Sequence, residues 1–116
     1  MASIVIADDE FLLADMLCML LEDEGHAIST ALDGEEALRL VREQHPALLI
    51  TDFMMPKMTG LELAETLRQD GFKEMPIILV SGAQGAIART RRELFNAILD
   101  KPYDNQELLD LVAKLV

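Results

Sequence analysis

The feature that most restricts the fold is a fivefold alternation of short apolar runs with longer amphipathic runs. Each short run is rich in aliphatic and β-branched residues, and the longer runs have helical periodicity, which is typical of a parallel α/β sheet. The expected strands are Ser3–Ala7, His26–Ala31, Leu48–Thr51, Ile77–Val80 and Ala97–Leu99. The expected helices are Glu10–Glu24, Gly34–Glu43, Leu61–Gln69, Ala86–Leu94 and a last one capped by Asp104 or Asn105.

Parallel strands joined by right-handed connections require helices on both faces of the sheet. The predicted architecture is therefore a flavodoxin-like (βα)5 doubly wound sandwich with the strand order 2-1-3-4-5. A ligand is expected at the carboxyl ends of the strands, between strands 1 and 3, where the strand order reverses. One domain over residues 1–116 accounts for the sequence.

Composition and charge exclude several classes of function. The formal net charge of −11 opposes binding to a nucleic-acid backbone. No apolar run has the length of a membrane span and no signal peptide is visible, so we expect no membrane contact and a cytoplasmic location. The single cysteine, Cys18, excludes an internal disulfide and a multi-cysteine metal site. The basic cluster Arg89, Arg91 and Arg92 is best interpreted as a solvated face that pairs with nearby acids, and the alternative is a contact for an acidic partner.

Charged and polar residues stand where the predicted strands end. They are Asp8 and Asp9 after strand 1, Asp52 after strand 3, Ser81 after strand 4 and Lys101 after strand 5. Each one alone is commonly a helix cap or a turn residue, but all five are expected at one edge of the sheet. Clustered carboxylates repel one another, and a hard cation such as Mg²⁺ removes the conflict while leaving positions for phosphate oxygens. A carboxylate in such a site can attack phosphorus, with the cation and a lysine neutralising charge.

These residues lie in motifs that resemble the receiver domain of bacterial two-component response regulators, including its single-domain chemotaxis regulators. The resemblance extends along the entire sequence in the same order and spacing. The matching segments are IVIADDE at Ile4–Glu10, DGEEAL at Asp33–Leu38, LLITDFMMPKMTGLEL at Leu48–Leu63, PIILVSG at Pro76–Gly82 and DKPY at Asp100–Tyr103.

The resemblance implies a phosphoacceptor and a cation site. Asp52 would accept a phosphoryl group from a histidine kinase or a histidine phosphotransfer protein, and the phosphorylated domain would bind a downstream protein target. Asp9 would bind Mg²⁺ or Mn²⁺ directly, Met54 through its backbone carbonyl, and Asp8 through water. Met54 and Ala83 would flank the path of an attacking water, which neither side chain can hydrogen-bond. Such a domain catalyses only its own phosphorylation and dephosphorylation and is not otherwise an enzyme.

The residues that transmit the signal in this family are only partly present. Lys101 would pair with the phosphoryl group, the Lys101–Pro102 peptide bond would be cis, and Ser81 would move toward the phosphoryl group. Many receivers have Tyr or Phe three residues before the lysine, where the ring rotates inward on activation. Ile98 occupies that position here, and the segment between Ser81 and Lys101 is shorter than usual. The resemblance therefore implies the chemistry but not an aromatic switch.

The first helix is more apolar than one buried face requires. Four leucines suffice for its core side: Leu13, Leu17, Leu20 and Leu21. Ala14, Cys18 and Met19 then extend the apolar stripe outward. Broader core packing explains this stripe, and so does a docking site for the histidine kinase or phosphotransfer protein.

Three other functions fit the sequence less well than a phosphoacceptor does. A phosphorylation-independent receiver-like binding module would need only the fold, and the complete set of site residues argues against it. A flavin carrier would need a phosphate-binding loop after strand 1, where Asp8, Asp9 and Glu10 would repel phosphate. A haloacid-type phosphatase would need a second aspartate two residues beyond Asp52, where Met54 stands.

Overall fold

The computed structural model describes residues 2–82 and 85–116, and Ala83 lies outside these residues. The strands are β1 (Ser3–Ala7), β2 (Ala27–Ala31), β3 (Leu48–Asp52), β4 (Ile77–Ser81) and β5 (Ala97–Asp100). The helices are α1 (Phe11–Asp23), α2 (Gly34–Gln44), α3 (Gly60–Gln69), α4 (Gly85–Arg89) and α5 (Asn105–Leu115), with a 3-10 helix at Arg92–Leu94. No helix in the described part of the chain is long and apolar enough to cross a membrane.

The strands form one parallel sheet in the order β2-β1-β3-β4-β5, which confirms the predicted topology. Alternate strand residues point to opposite faces, so each strand contributes to two cores. On one face Val5, Leu49 and Ile77 pack with buried residues of α2 and α3. On the other face Ile6 and Ile50 pack with buried residues of α1 and α5. The central strands β3 and β4 are buried along their whole length.

Side-chain caps begin the helices that lie beside the strand ends. The Asp33 carboxylate accepts the Glu36 N–H at 2.8 Å at the start of α2. Thr59 and Glu62 form a reciprocal capping box at the start of α3. The Asp104 carboxylate accepts the backbone N–H of the second residue of α5 at 2.9 Å. These caps satisfy amide groups that an α-helix leaves unpaired at its first turn.

The buried face of α1 differs from the predicted one. Ala14, Leu17 and Leu21 face the sheet, and Ala14 is only 2% exposed, so its predicted outward orientation is wrong. Leu13, predicted to lie in the core, is 43% exposed. Leu17 lies three positions after Ala14 and four after Leu13, so periodicity allows either residue on the buried face, and packing against the sheet buries Ala14. Met19 is exposed as predicted.

The predicted helix over residues 86–94 is the least accurate of the helix predictions. α4 ends at Arg89, and the Thr90 hydroxyl donates to the Ile87 carbonyl at 2.7 Å, so the side chain bonds a carbonyl of the preceding turn. The chain then forms a turn and the short 3-10 helix. The basic cluster pairs with acids as expected, because Arg91 contacts Glu65 and Glu93, each at 2.7 Å.

Candidate functional site

Asp52 lies at the carboxyl end of β3, between the ends of β1 and β4, and is only 8% exposed. The start of α3 passes close to the end of β3, since the Gly60 N–H donates to the Phe53 carbonyl at 2.7 Å. A Cβ atom at Gly60 would collide with the carbonyl oxygen of Asp52 and lie 2.9 Å from Leu79 Cδ1. Glycine is therefore required where α3 begins, and this close approach positions the segment that carries Asp52.

Lys101 directly follows β5 and reaches across the sheet edge to Asp52. Its Nζ lies 3.0 Å from Asp52 Oδ1 and 3.9 Å from Glu10 Oε1. Its backbone N–H donates to the Ser81 carbonyl at 2.7 Å, which extends the pairing of β5 with β4 by one residue. The Lys101–Pro102 peptide bond is cis, as the resemblance implied. The lysine and the candidate phosphoacceptor thus form a direct, partly buried ion pair.

Two further carboxylates lie beside this ion pair. Oxygen atoms of Asp8, Glu10 and Asp52 lie within 4.8 Å of one another, and Asp8 Oδ1 accepts the Glu10 N–H at 2.9 Å. These oxygen donors fit a hard divalent cation such as Mg²⁺, so the acidic group can bind a metal. Glu10 was missed as a site residue, although it directly follows the two aspartates in the sequence. Asp9 is exposed and its carboxylate is not one of these three.

A shallow depression at the sheet edge is lined by two further residues that were predicted to bind the cation. Asp9 and Met54 line it together with Asp52, Lys101 and Gly82. The roles of Asp9 and Met54 in cation binding stay predictions. Their shared position beside Asp52 shows that the segments that follow β1 and β3 reach the same surface.

The ionisable groups of the site perturb one another. Burial raises the pKa of Asp52, the bond and charge of Lys101 oppose that rise, and the charge of Asp9 adds to it. Burial raises the pKa of Asp8, with a smaller contribution from the negative charge of Asp52. Burial acts to lower the pKa of Lys101, but its hydrogen bond and attraction to Asp52 outweigh burial and raise it. The lysine therefore stays charged while the carboxylates repel one another, which favours binding of a cation.

Ser81 is fully buried at the end of β4, and its hydroxyl has no hydrogen-bond partner among the described residues. It lies one position beyond Val80, which pairs in register with Asp52. A buried hydroxyl without a partner is unfavourable by about 1–3 kcal/mol. The contact of this hydroxyl with a phosphoryl group stays a prediction.

An apolar groove between α1 and α5 opens beside the site. Its floor is formed by strand residues Ile6, Ile50 and Val80. Its walls are Leu13, Met16, Leu17 and Leu20 of α1 and, near α5, Pro102, Tyr103 and Asn105. Asp52 and Lys101 line the open end, so an apolar surface and the charged site are continuous.

The sequence matches the family model of the response regulator receiver domain over residues 4–113. The parallel sheet order, the converging carboxylates and the lysine agree with that match. The chain therefore belongs to the response regulator receiver domain family of two-component systems.

Solved structures of receiver domains have the same fold. The receiver domain of Francisella response regulator 1452 is 26% identical, with a TM-score of 0.92, covering 99% of this chain and 96% of that one. The response regulator TrrA of Thermotoga maritima, solved with Mg²⁺ and BeF, is 32% identical, with a TM-score of 0.88 and full coverage of both chains. The chemotaxis response regulator CheY4 of Vibrio cholerae is 28% identical, with a TM-score of 0.88, covering 100% of this chain and 99% of that one.

Proposed function

We propose that residues 1–116 form one receiver domain that accepts a phosphoryl group on Asp52 in a Mg²⁺-dependent reaction. The donor is a phosphohistidine of a kinase or a phosphotransfer protein, and the product switches binding to a target protein. The observation that carries this proposal is the 3.0 Å contact of Lys101 Nζ with Asp52 Oδ1 beside two further carboxylates. The cytoplasm is the proposed location.

Asp52 supplies the nucleophile of the transfer. A carboxylate oxygen attacks phosphorus, the new P–O bond forms, and the P–N bond to the donor imidazole breaks. The donor nitrogen keeps the electron pair of that bond and takes up a proton, and Asp52 becomes an acyl phosphate. A Mg²⁺ held by the acidic residues of the site would supply positive charge to the phosphoryl oxygens.

The neighbouring side chains have distinct proposed roles. Lys101 holds the attacking carboxylate in its ionised form and then pairs with a phosphoryl oxygen. Asp9 and the Met54 carbonyl are proposed as direct cation ligands, with Asp8 acting through water. Ser81 donates its hydroxyl to the phosphoryl group, which gives that buried hydroxyl an acceptor. Mn²⁺ satisfies the same oxygen ligands.

Incubation with acetyl phosphate and Mg²⁺, followed by intact mass, tests the proposal. The wild-type chain is expected to gain one phosphoryl group, and Asp52→Ala is expected to gain none. Asp23→Ala, an exposed aspartate at the far end of α1, is the matched control and should be labelled like wild type. Absence of both an adduct and Mg²⁺ binding would overturn the proposal and favour a phosphorylation-independent binding module.

The exposed apolar side of α1 is the proposed docking surface for the histidine donor. Met16 and Met19 are 57% and 60% exposed, and Phe11 and Leu12 are 64% and 74% exposed. Cys18 is half-buried and contributes only at the margin, while Ala14 is excluded by its burial. Large exposed apolar patches beside a reaction site are typical of protein interfaces.

Replacing Met16 and Met19 by lysine tests the docking surface. Phosphotransfer from the cognate donor should slow at least tenfold, because charged side chains resist burial at an interface. Labelling by acetyl phosphate should not change, since the substitutions leave the reacting groups intact. Val116→Lys, at an exposed apolar residue beyond α5, is the control. Unchanged transfer rates in the double variant would remove α1 as the docking surface.

A further inference from the structure

The segment from α4 to the 3-10 helix, residues 85–94, is held to α3 at its C-terminal end. The Arg68 guanidinium donates to the Leu94 carbonyl at 2.8 and 3.2 Å. Arg91 Nη1 contacts Glu65 Oε2 at 2.7 Å. Both contacts lie beyond the end of α4 and involve α3. The C-terminal end of this segment is therefore held to α3, and α3 contributes no described charged group to the Asp52 site.

A second contact joins the last residue of α4 to Asp100, the residue before Lys101. Arg89 makes two bonds to Asp100, with Nη1–Oδ1 at 3.1 Å and Nη2–Oδ2 at 2.9 Å. Asp100 is the last residue of β5 and pairs in register with Ser81. One peptide further, Lys101 contacts Asp52 through its side chain and Ser81 through its backbone. Asp100, which holds α4, is thus the chain neighbour of Lys101 and the strand partner of Ser81, the two residues that are proposed to contact the phosphoryl group.

The local backbone provides space for this ion pair. A Cβ atom at Gly85, the first residue of α4, would lie 2.7 Å from Arg89 Nη1 and 2.7 Å from Asp100 Oδ1. Any other residue there would push against the paired groups. The glycine allows the guanidinium and the carboxylate to close over the start of α4.

Among the described residues, the side chains that pack in the cluster between α4 and β5 are apolar. Ile98 packs at the edge of a small cluster with Phe53, Leu79 and Ala88. Its aliphatic side chain can neither donate a hydrogen bond nor turn as a ring does. Within residues 2–82 and 85–116, the Arg89–Asp100 ion pair is the only side-chain hydrogen bond or ion pair that joins α4 to β5.

We infer that the Arg89–Asp100 ion pair transmits phosphorylation of Asp52 to α4 by stabilising the unphosphorylated position of that helix. This inference rests on the proposed phosphoacceptor function. Lys101 exchanges its contact with the Asp52 carboxylate for one with a phosphoryl oxygen, and Ser81 donates to the same group, so the end of β5 shifts and the two-bond geometry of Asp100 with Arg89 is lost. Both partners are about half exposed, at 56% and 47% of their side chains, so the pair is weak enough to open. α4 then separates from β5, while the chain beyond α4 stays on α3 through Arg91 and Leu94.

The test is a double-mutant cycle of Arg89→Gln and Asp100→Asn, measured as affinity for beryllofluoride in the presence of Mg²⁺. Calorimetry on the full chain gives this affinity without a phosphodonor. Each single variant should bind the phosphoryl mimic about 1.5- to 5-fold more tightly than wild type, because an exposed ion pair contributes that much to an equilibrium. The double variant should equal the single variants, since both remove one interaction. Arg92→Gln, an exposed arginine of the same segment, is the matched charge control and should bind like wild type.

Hydrogen exchange of residues 85–94 provides the second measurement. Wild type should exchange faster in this segment when beryllofluoride is added, and Arg89→Gln should exchange at the faster rate without it. Affinities of both single variants equal to or below that of the control would overturn the inference, as would unchanged exchange. Failure of wild type to bind beryllofluoride at all would instead overturn the phosphoacceptor function on which the inference rests.

Discussion

Arg68 is expected to contribute more to stability than any other arginine of the described chain, and Arg68→Ala tests this expectation. Its guanidinium donates to the carbonyls of Phe72 at 2.6 Å, Met75 at 2.7 Å and Leu94 at 2.8 Å. Phe72 and Met75 lie in the loop before β4, and Leu94 ends the 3-10 helix before β5. Truncation to alanine removes a charged donor from all of them at once.

The magnitude follows from the number of carbonyls and their access to water. A hydrogen bond to a charged group contributes about 1.5–3 kcal/mol, but Arg68 is only partly buried and water can reach the carbonyls after truncation. We therefore take about 1 kcal/mol for each carbonyl and expect a loss of about 3 kcal/mol in the free energy of unfolding. For a domain of this size that loss lowers the Tm by about 10 °C.

Urea unfolding followed by circular dichroism measures this loss. Arg68→Lys is expected to recover only about one third of it, because an ammonium group cannot donate to three separated carbonyls in the geometry of a guanidinium. Arg92→Ala, at an exposed arginine, should change the free energy of unfolding by less than about 0.5 kcal/mol. A loss below about 1 kcal/mol for Arg68→Ala, or full recovery by lysine, would refute the reasoning.

Three further substitutions test the site and its supports. Burial raises the pKa of Asp8, so the folded chain keeps that proton to higher pH than the unfolded chain, and ionisation lowers stability as pH rises above the ordinary value of 3.8. Asp8→Asn should therefore raise the Tm at pH 7 without divalent cations. The gain should vanish at low pH, where Asp8 is protonated in both the folded and the unfolded chain. A Tm gain that persists at low pH would contradict this reasoning. Gly60→Ala should lower the free energy of unfolding by about 1–3 kcal/mol, because the new Cβ meets the Asp52 carbonyl and Leu79, and urea unfolding with no loss would contradict that contact. Thr59→Ala should cost about 0.5–2 kcal/mol by the same measurement through loss of the α3 capping box, whereas a neutral change would show that water replaces the cap.

The helix predictions succeeded where local signals coincide. Asp33 precedes two glutamates and a periodic apolar run, and the structure begins α2 directly after it. Over residues 86–94 such signals are weak, and the predicted helix ends early at Arg89. The conformation of this segment depends on contacts with Arg68 of α3 and Asp100 of β5. Both residues lie outside residues 86–94. No local pattern of residues 86–94 contains them.

The α1 face shows a similar limit on reading amphipathic patterns. Several apolar residues of α1 were available for the core, and periodicity alone allowed more than one choice of buried face. Packing against the sheet selected the row with Ala14, because a small residue permits close approach of the helix. Leu13 and Met16 were left at the surface, where they form part of the groove and the proposed docking surface.

The sequence by itself determined the parallel sheet, its strand order and the arrival of Asp8, Asp52, Ser81 and Lys101 at one edge. This follows because residues that end parallel strands must meet at the same side of the sheet, whatever the side chains do afterwards. The third carboxylate beside Asp8 and Asp52 is set by the tertiary structure, which places Glu10 in that acidic group. It also decided that α4 is bound to β5 by an ion pair. Side-chain reach and the path of the loops set these contacts, and neither is encoded in the periodicity of the chain.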